Sequence, residues 1–195
     1  MSDTAIAGYT YGDPGLDPSP VDAEDFARIQ QAALFSAEDI EALRRAGSIL
    51  GKHVEELLDV WYGFVGAHDF LVASFSGADG PNAHYLGQVR RRFAQWVLDT
   101  CRAEFDADWL AYQYEIGRRH YDRKNLTDGI EDAPAHVPFR YLVPLTYPIY
   151  WTVRPFLERE EKDPQQVERM HQAWLKAVLL SVTLWSQPYL REGAF

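Results

Sequence analysis

The stretch that decides the fold is Trp109-Leu110-Ala111-Tyr112-Gln113-Tyr114-Glu115-Ile116-Gly117-Arg118-Arg119-His120. Trp109, Tyr112, Gln113, Ile116 and His120 recur at spacings of three and four, the period of one helical face. Glu115, Arg118, Arg119 and Asp122 fall off that face. The imidazole of His120 therefore points where the apolar side chains point. Two readings stand for it. One is a core or rim histidine satisfied by a hydrogen bond. The other is a single axial ligand to an iron porphyrin, which needs one protein ligand if its sixth position is to stay open for a gas.

Outward from this segment the same period recurs. Val54, Leu57, Leu58, Trp61, Tyr62 and Val65 form one stripe, and Tyr85, Val89, Phe93, Trp96, Val97 and Thr100 another. A last one runs through Val167, Met170, Trp174, Val178, Ser181 and Trp185, with Leu175, Leu179 and Val182 on a second flank. A helix apolar on two sides is usually covered on two sides. Asp22 with Asp25, Ser36 with Asp39, and Asp163-Pro164-Gln165-Gln166 are helix starts, each an N-cap residue followed by first-turn acids, a proline or a glutamine. Breaks fall at Ser76 to Pro81 and across Asn125 to Pro138. Pro138 to Pro155 reads as an apolar helix with Pro144 and Pro148 inside it. Their spacing of four puts both on one face, compatible with a continuous helix. Residues 1–21, with Gly8-Tyr9-Thr10-Tyr11-Gly12 and three prolines, read as an irregular arm whose tyrosines pack on something. No alternating strand pattern stands out, and the class is all-α.

The 195 residues, 47% of them hydrophobic and 25% charged, suit one domain able to bury a sizeable core. The net charge of −10 argues against general binding to nucleic acid or to an anionic membrane. Bases gather in the middle third, which points to an anionic ligand there. The single Cys101 makes no internal disulfide and no thiolate metal cluster. The N-terminus lacks a basic start followed by an apolar run, and Tyr141 to Val153 spans about 20 Å as a helix, short of a bilayer core of about 30 Å. A soluble, cytoplasmic protein is expected.

No phosphate loop, H-E-x-x-H, G-x-S-x-G or C-x-x-C motif is present. His53, His68, His84, His136 and His171 are scattered without metal-ligand spacing and read as surface residues. Tyr62, on an apolar face, is either a core tyrosine bonded to a backbone carbonyl or a donor toward a ligand in the core. In Arg90-Arg91-Arg92, Arg92 neighbours the apolar stripe; it is either part of a solvated face or a partner for a haem propionate.

The chain resembles the protoglobins, single-domain relatives of the globin-coupled sensors. The residues that carry the likeness are Gly8-Tyr9-Thr10-Tyr11-Gly12, Asp59-Val60-Trp61-Tyr62-Gly63-Phe64-Val65-Gly66, Val89-Arg90-Arg91-Arg92-Phe93, Leu98-Asp99-Thr100-Cys101, Trp109 to Gly117 and Pro155-Phe156-Leu157. The resemblance implies a globin fold over 22–195 with an additional N-terminal helix, and an extension over 1–21 that folds across the haem edge through Tyr9 and Tyr11. It implies haem b, His120 as the metal ligand, and cofactor contacts from Arg92, Tyr112, Ile116, Phe93 and Tyr62. It places Trp61, Tyr62, Phe75, Phe93, Leu145 and Ile149 around the distal pocket, with extra room beside Leu145, where members often carry an aromatic. A second histidine common after the ligand is Tyr121 here. The implied activity is reversible binding of O₂, CO or NO by a homodimer joined through its two C-terminal helices. The alternatives are haem enzymology (peroxide, nitrite or NO, or carbene transfer), a gas sensor acting through a partner, and a haem-free helical interaction protein.

Overall fold

The computed structural model describes residues 5–191 and Phe195. Its main elements are the helices α1 (Ala23–Ala32), α2 (Ala37–Gly66), α3 (Asp69–Val72), α4 (Ala83–Arg102), α5 (Ala107–His120), α6 (Phe139–Glu160) and α7 (Pro164–Ser186). Two short 3₁₀ turns, Ala73–Phe75 and Gln187–Tyr189, accompany them. Ser76–Gly77 pairs antiparallel with Gly80–Pro81, a two-residue hairpin inside the break expected there.

Side-chain caps set the helix starts. Asp22 Oδ1 accepts from the amides of Glu24 and Asp25, both at 2.9 Å. Asp39 Oδ2 accepts from the Ser36 amide at 2.8 Å. Asp106 does the same for Trp109 at 2.8 Å and Asp163 for Gln165 at 2.9 Å. Each satisfies an amide that the first turn leaves without a carbonyl partner.

Helix α2 is the axis of the assembly and packs against α4, α6 and α7, while α5 packs on α7. The main core gathers Leu50, Leu58, Val97, Leu157, Met170 and Trp174, all with essentially no exposed surface. Most of the two-sided apolar surface of α7 is covered within the chain by α2, α5 and α6, although Leu179 on the second flank stays exposed. Exposed apolar side chains are scattered over the surface, but on α6 they line up: Val143, Tyr147 and Trp151 are 54%, 65% and 61% exposed at a spacing of four.

Helix α6 runs unbroken through Pro144, Pro148 and Pro155. Its middle is stitched by side chains. Thr152 Oγ1 donates to the Pro148 carbonyl at 2.6 Å, Trp174 Nε1 to that of Ile149 at 3.2 Å, and His171 Nε2 to that of Tyr150 at 2.9 Å. Two of these three donors come from α7, so tertiary contacts brace the middle of a helix whose Arg140, Pro144 and Trp151 carbonyls lose their backbone donors to the prolines. His171 is thereby a correction to the surface reading: it is buried between the last two helices and stacked on Tyr150.

Helices α5 and α7 approach closely at Gly117. A Cβ there would lie 2.9 Å from Trp185 Cα and 3.0 Å from its carbonyl oxygen, closer than backbone tolerates. Gly117→Ala is expected to push the helices apart and lower stability by about 1–3 kcal/mol, read as a fall in the urea midpoint with an unchanged slope.

Candidate functional site

His120 is the last residue of α5, and its backbone and ring are both fastened. Its carbonyl accepts from the Val137 amide at 2.8 Å. The Tyr189 hydroxyl lies 2.7 Å from the carbonyls of both His120 and Val137 and shares its one hydrogen between them. On the ring, Nδ1 lies 2.9 Å from the Ile116 carbonyl. A carbonyl can only accept, so Nδ1 carries the proton and Nε2 keeps its lone pair. Burial pushes the imidazole pKa below its usual value; the Ile116 bond opposes this and the charge of Lys124 adds to it. The ring is therefore neutral at neutral pH.

The orientation of the ring is set from behind. Trp185 stacks on it with centroids 5.2 Å apart and planes 17° from parallel. Trp185 Nε1 donates to Gln113 Oε1 at 2.8 Å, and Trp96 Nε1 reaches the same oxygen at 3.4 Å. Gln113 thus ties α4 and α7 to α5, about two turns before the imidazole it indirectly supports.

His120 opens onto a cavity of about 210 Å³. A single water needs only about 10–15 Å³, so the space suits a sizeable organic ligand. Helix α2 supplies Trp61 and Tyr62 to the wall, α4 supplies Arg92 and Phe93, α5 supplies Tyr112, Ile116 and His120, and α6 supplies Leu145 and Ile149. Phe75, from the turn after α3, completes the set. All the residues singled out from the sequence therefore meet on one surface, except Tyr9 and Tyr11.

Those two are outside the wall. Each packs edge-on against Tyr112 with centroids 5.5 Å away, and the Tyr9 hydroxyl donates to Asp99 Oδ2 at 2.7 Å. The arm meets the cavity through its backbone instead: the Ala7 carbonyl accepts from Arg92 Nη1 at 3.0 Å, and the Gly8 carbonyl accepts from Arg119 Nη1.

Among the described residues the Tyr62 hydroxyl has no protein partner, although the ring lines the cavity. Burial holds its pKa well above the ordinary phenol value, so it is a protonated donor. The core-tyrosine alternative, in which a backbone carbonyl would take that hydrogen, is not what the geometry displays. Trp61 stands edge-on to Phe93 beside it, with centroids 5.7 Å apart.

Arg92 is engaged rather than open. Its Nη1 and Nη2 reach Asp128 Oδ1 and Oδ2 at 2.9 and 2.5 Å, with both side chains largely buried. Arg119 pairs with buried Glu115 at 2.9 Å. Lys124, Arg119, Trp185 and Asp128 were not legible as site residues. Lys124 and Asp128 lie in a segment without periodicity, and Arg119 is off the apolar stripe. Trp185 was visible only as a core position of α7. No group of three or more His, Cys, Asp or Glu side chains able to hold a metal occurs among the described residues. None of their helices is long and apolar enough to cross a membrane.

The model of the family described as Protoglobin matches residues 22–194. Among solved structures, the globin domain of a globin-coupled sensor from Geobacter sulfurreducens superposes with a TM-score of 0.61 at 14% identity, over 85% of this chain and 97% of that domain. At that identity the likeness speaks for the fold, a globin fold preceded here by α1 and the arm. No curated protein matches the chain at a significant level.

Asp128→Asn strands the buried Arg92 guanidinium without its counter-charge and is expected to cost about 3–5 kcal/mol in chemical denaturation, whereas the double change Arg92→Met with Asp128→Leu should cost far less.

Proposed function

We propose that this chain, which belongs to the protoglobin family, holds haem b in the cavity beside His120 and binds diatomic gases reversibly. The observation that carries the reading is the state of His120. One ring nitrogen is tied to the Ile116 carbonyl, the other retains its lone pair, and the ring sits on the wall of an apolar cavity. His120 would hold an iron porphyrin through its free nitrogen, and the tied nitrogen fixes ring orientation and raises basicity. When bound, the haem would supply an iron able to bind O₂, CO or NO.

The rest follows from the chain's own groups. Tyr62 offers a hydroxyl hydrogen that no protein acceptor claims, suited to a ligand carrying partial negative charge. Phe93 and Trp61 exclude water beside it, with Phe75, Leu145 and Ile149 extending the same apolar wall. Tyr112 and Ile116 face the cofactor from α5, and the arm closes its edge, latched by Arg92 and Arg119. His120 is the only histidine on the cavity wall among the described residues. No second imidazole is there to move protons, which favours binding over peroxide chemistry.

Two copies are proposed to pair through α6 and α7, with the exposed residues Val143, Tyr147 and Trp151 of α6 and Leu179 of α7 at the contact. An exposed apolar stripe of this kind is characteristic of an interface.

Haem-loaded, reduced protein should give a five-coordinate spectrum that converts on adding CO. His120→Ala should lose it and regain it with added imidazole; an unchanged spectrum would overturn the assignment. Tyr62→Phe should speed O₂ dissociation about tenfold. Trp151→Asp should shift the sedimenting species from dimer to monomer.

A further inference from the structure

Three cationic side chains reach the cavity wall among the described residues: Arg92, Arg119 and Lys124. Two of them have carboxylate partners inside the protein, Arg92 in Asp128 and Arg119 in Glu115, which also takes Arg123. Lys124 is not. Its side chain is 3% exposed, and its Nζ donates to Asn125 Oδ1 at 2.9 Å and to the Pro134 carbonyl at 2.8 Å. No carboxylate of the described residues stands within ion-pair distance of it. The Tyr85 ring, 5.3 Å from Nζ, adds a face-on contact with no charge of its own.

An ammonium has three N–H donors, and two are used here. Enclosing such a charge without a counter-ion is costly, and the enclosure shows in the group itself: burial pulls the Lys124 pKa down to about 8. His120, the other ionisable nitrogen close by, is neutral and offers no compensation. Lys124 is therefore the one cation of the wall without a carboxylate partner among the described residues, and it is buried.

We propose that Lys124, rather than the already paired Arg92, is the cation that receives a carboxylate of the cavity's ligand. The inference rests on the haem reading, since a porphyrin with two carboxylate side chains is the ligand that reading supplies. Charge and hydrogen bonding agree on the same atom. The third N–H of Nζ is unclaimed, and a carboxylate there would pair with its charge. Arg92 and Arg119 remain as the arm's fasteners and keep their internal partners.

The test compares haem with its dimethyl ester, in which both carboxylates are capped, on wild-type protein and on Lys124→Met. Dissociation is followed by transfer to an excess of an unrelated apoglobin, and stability of the haem-free proteins by urea denaturation. Wild type is expected to release the ester about 10- to 100-fold faster than the free acid, and Lys124→Met to reduce that ratio by about tenfold or more. Haem-free Lys124→Met should be at least as stable as wild type, because an uncompensated buried charge is gone. A lysine with a purely structural role gives the opposite pattern, a less stable apoprotein with the acid-to-ester ratio intact, and that result overturns the proposal. Should Lys124→Met fail to fold, Lys124→Gln takes its place, keeping donors for Asn125 and Pro134 without the charge. Arg92→Met combined with Asp128→Leu should leave the ratio unchanged; if it abolishes the ratio while Lys124→Met does not, Arg92 is the partner. If wild type binds neither haem nor its ester, the haem reading itself fails, a result distinct from all of these.

Discussion

The hydrogen bond from His120 Nδ1 to the Ile116 carbonyl, 2.9 Å long, decides which ring nitrogen is available, and much of the molecule is arranged to keep it. The carbonyl belongs to the preceding turn of the same helix, so the bond survives only while α5 stays helical to its last residue. That end is pinned from outside by the Val137 amide and the Tyr189 hydroxyl. The plane of the ring is held by Trp185, which Gln113 holds in turn. Gly117 lets α7 come close enough for Trp185 to do so. A glycine, an amide, an indole and a phenol from three parts of the chain thus converge on one imidazole.

The charge layout of the cavity follows a different logic from its apolar lining. Arg92 and Arg119 occupy places where a ligand's carboxylates could be sought, yet each carries an internal carboxylate partner and an arm carbonyl. Such pairs add little net stability relative to apolar replacements but are expensive to break singly. They fix where the arm lies. Lys124, with the same sign and no such partner, is left as the group whose energy changes most when an anion arrives.

The helices and the four apolar stripes were legible in the sequence because each depends on residue period, which amphipathic burial enforces locally, whereas Phe75, Leu145 and Ile149 were placed on the cavity wall by the family resemblance. His120, Tyr62 and Phe93 could be placed on inward faces from spacing alone. What was not legible sits where period gives no information. Lys124 and Asp128 lie in an irregular segment whose side chains acquire meaning only from what they touch, Asp128 from Arg92 on α4 and Lys124 from Asn125 and Pro134 of the same segment. His171 read as a surface residue because it follows polar neighbours; its burial comes from the α6 carbonyl it satisfies, a tertiary fact. The arm tyrosines were rightly seen as packed, but on Tyr112 and Asp99 rather than on the cavity.

At residues 7 and 8 the arm is fastened through its main chain: the oxygens of Ala7 and Gly8 receive the two arginines, while the side chains of Tyr9 and Thr10 add bonds to Asp99 and Arg119. Gly8 has a φ of +72°, and a Cβ on it would meet Thr127 Cγ2 at 2.6 Å and Arg92 Nη1 at 2.8 Å. Tolerance to substitution is therefore lopsided along this segment. Position 7 can accept many side chains without loosening the closure, whereas position 8 has a hydrogen as its sole admissible substituent, making one of the smallest parts of the molecule among its least replaceable.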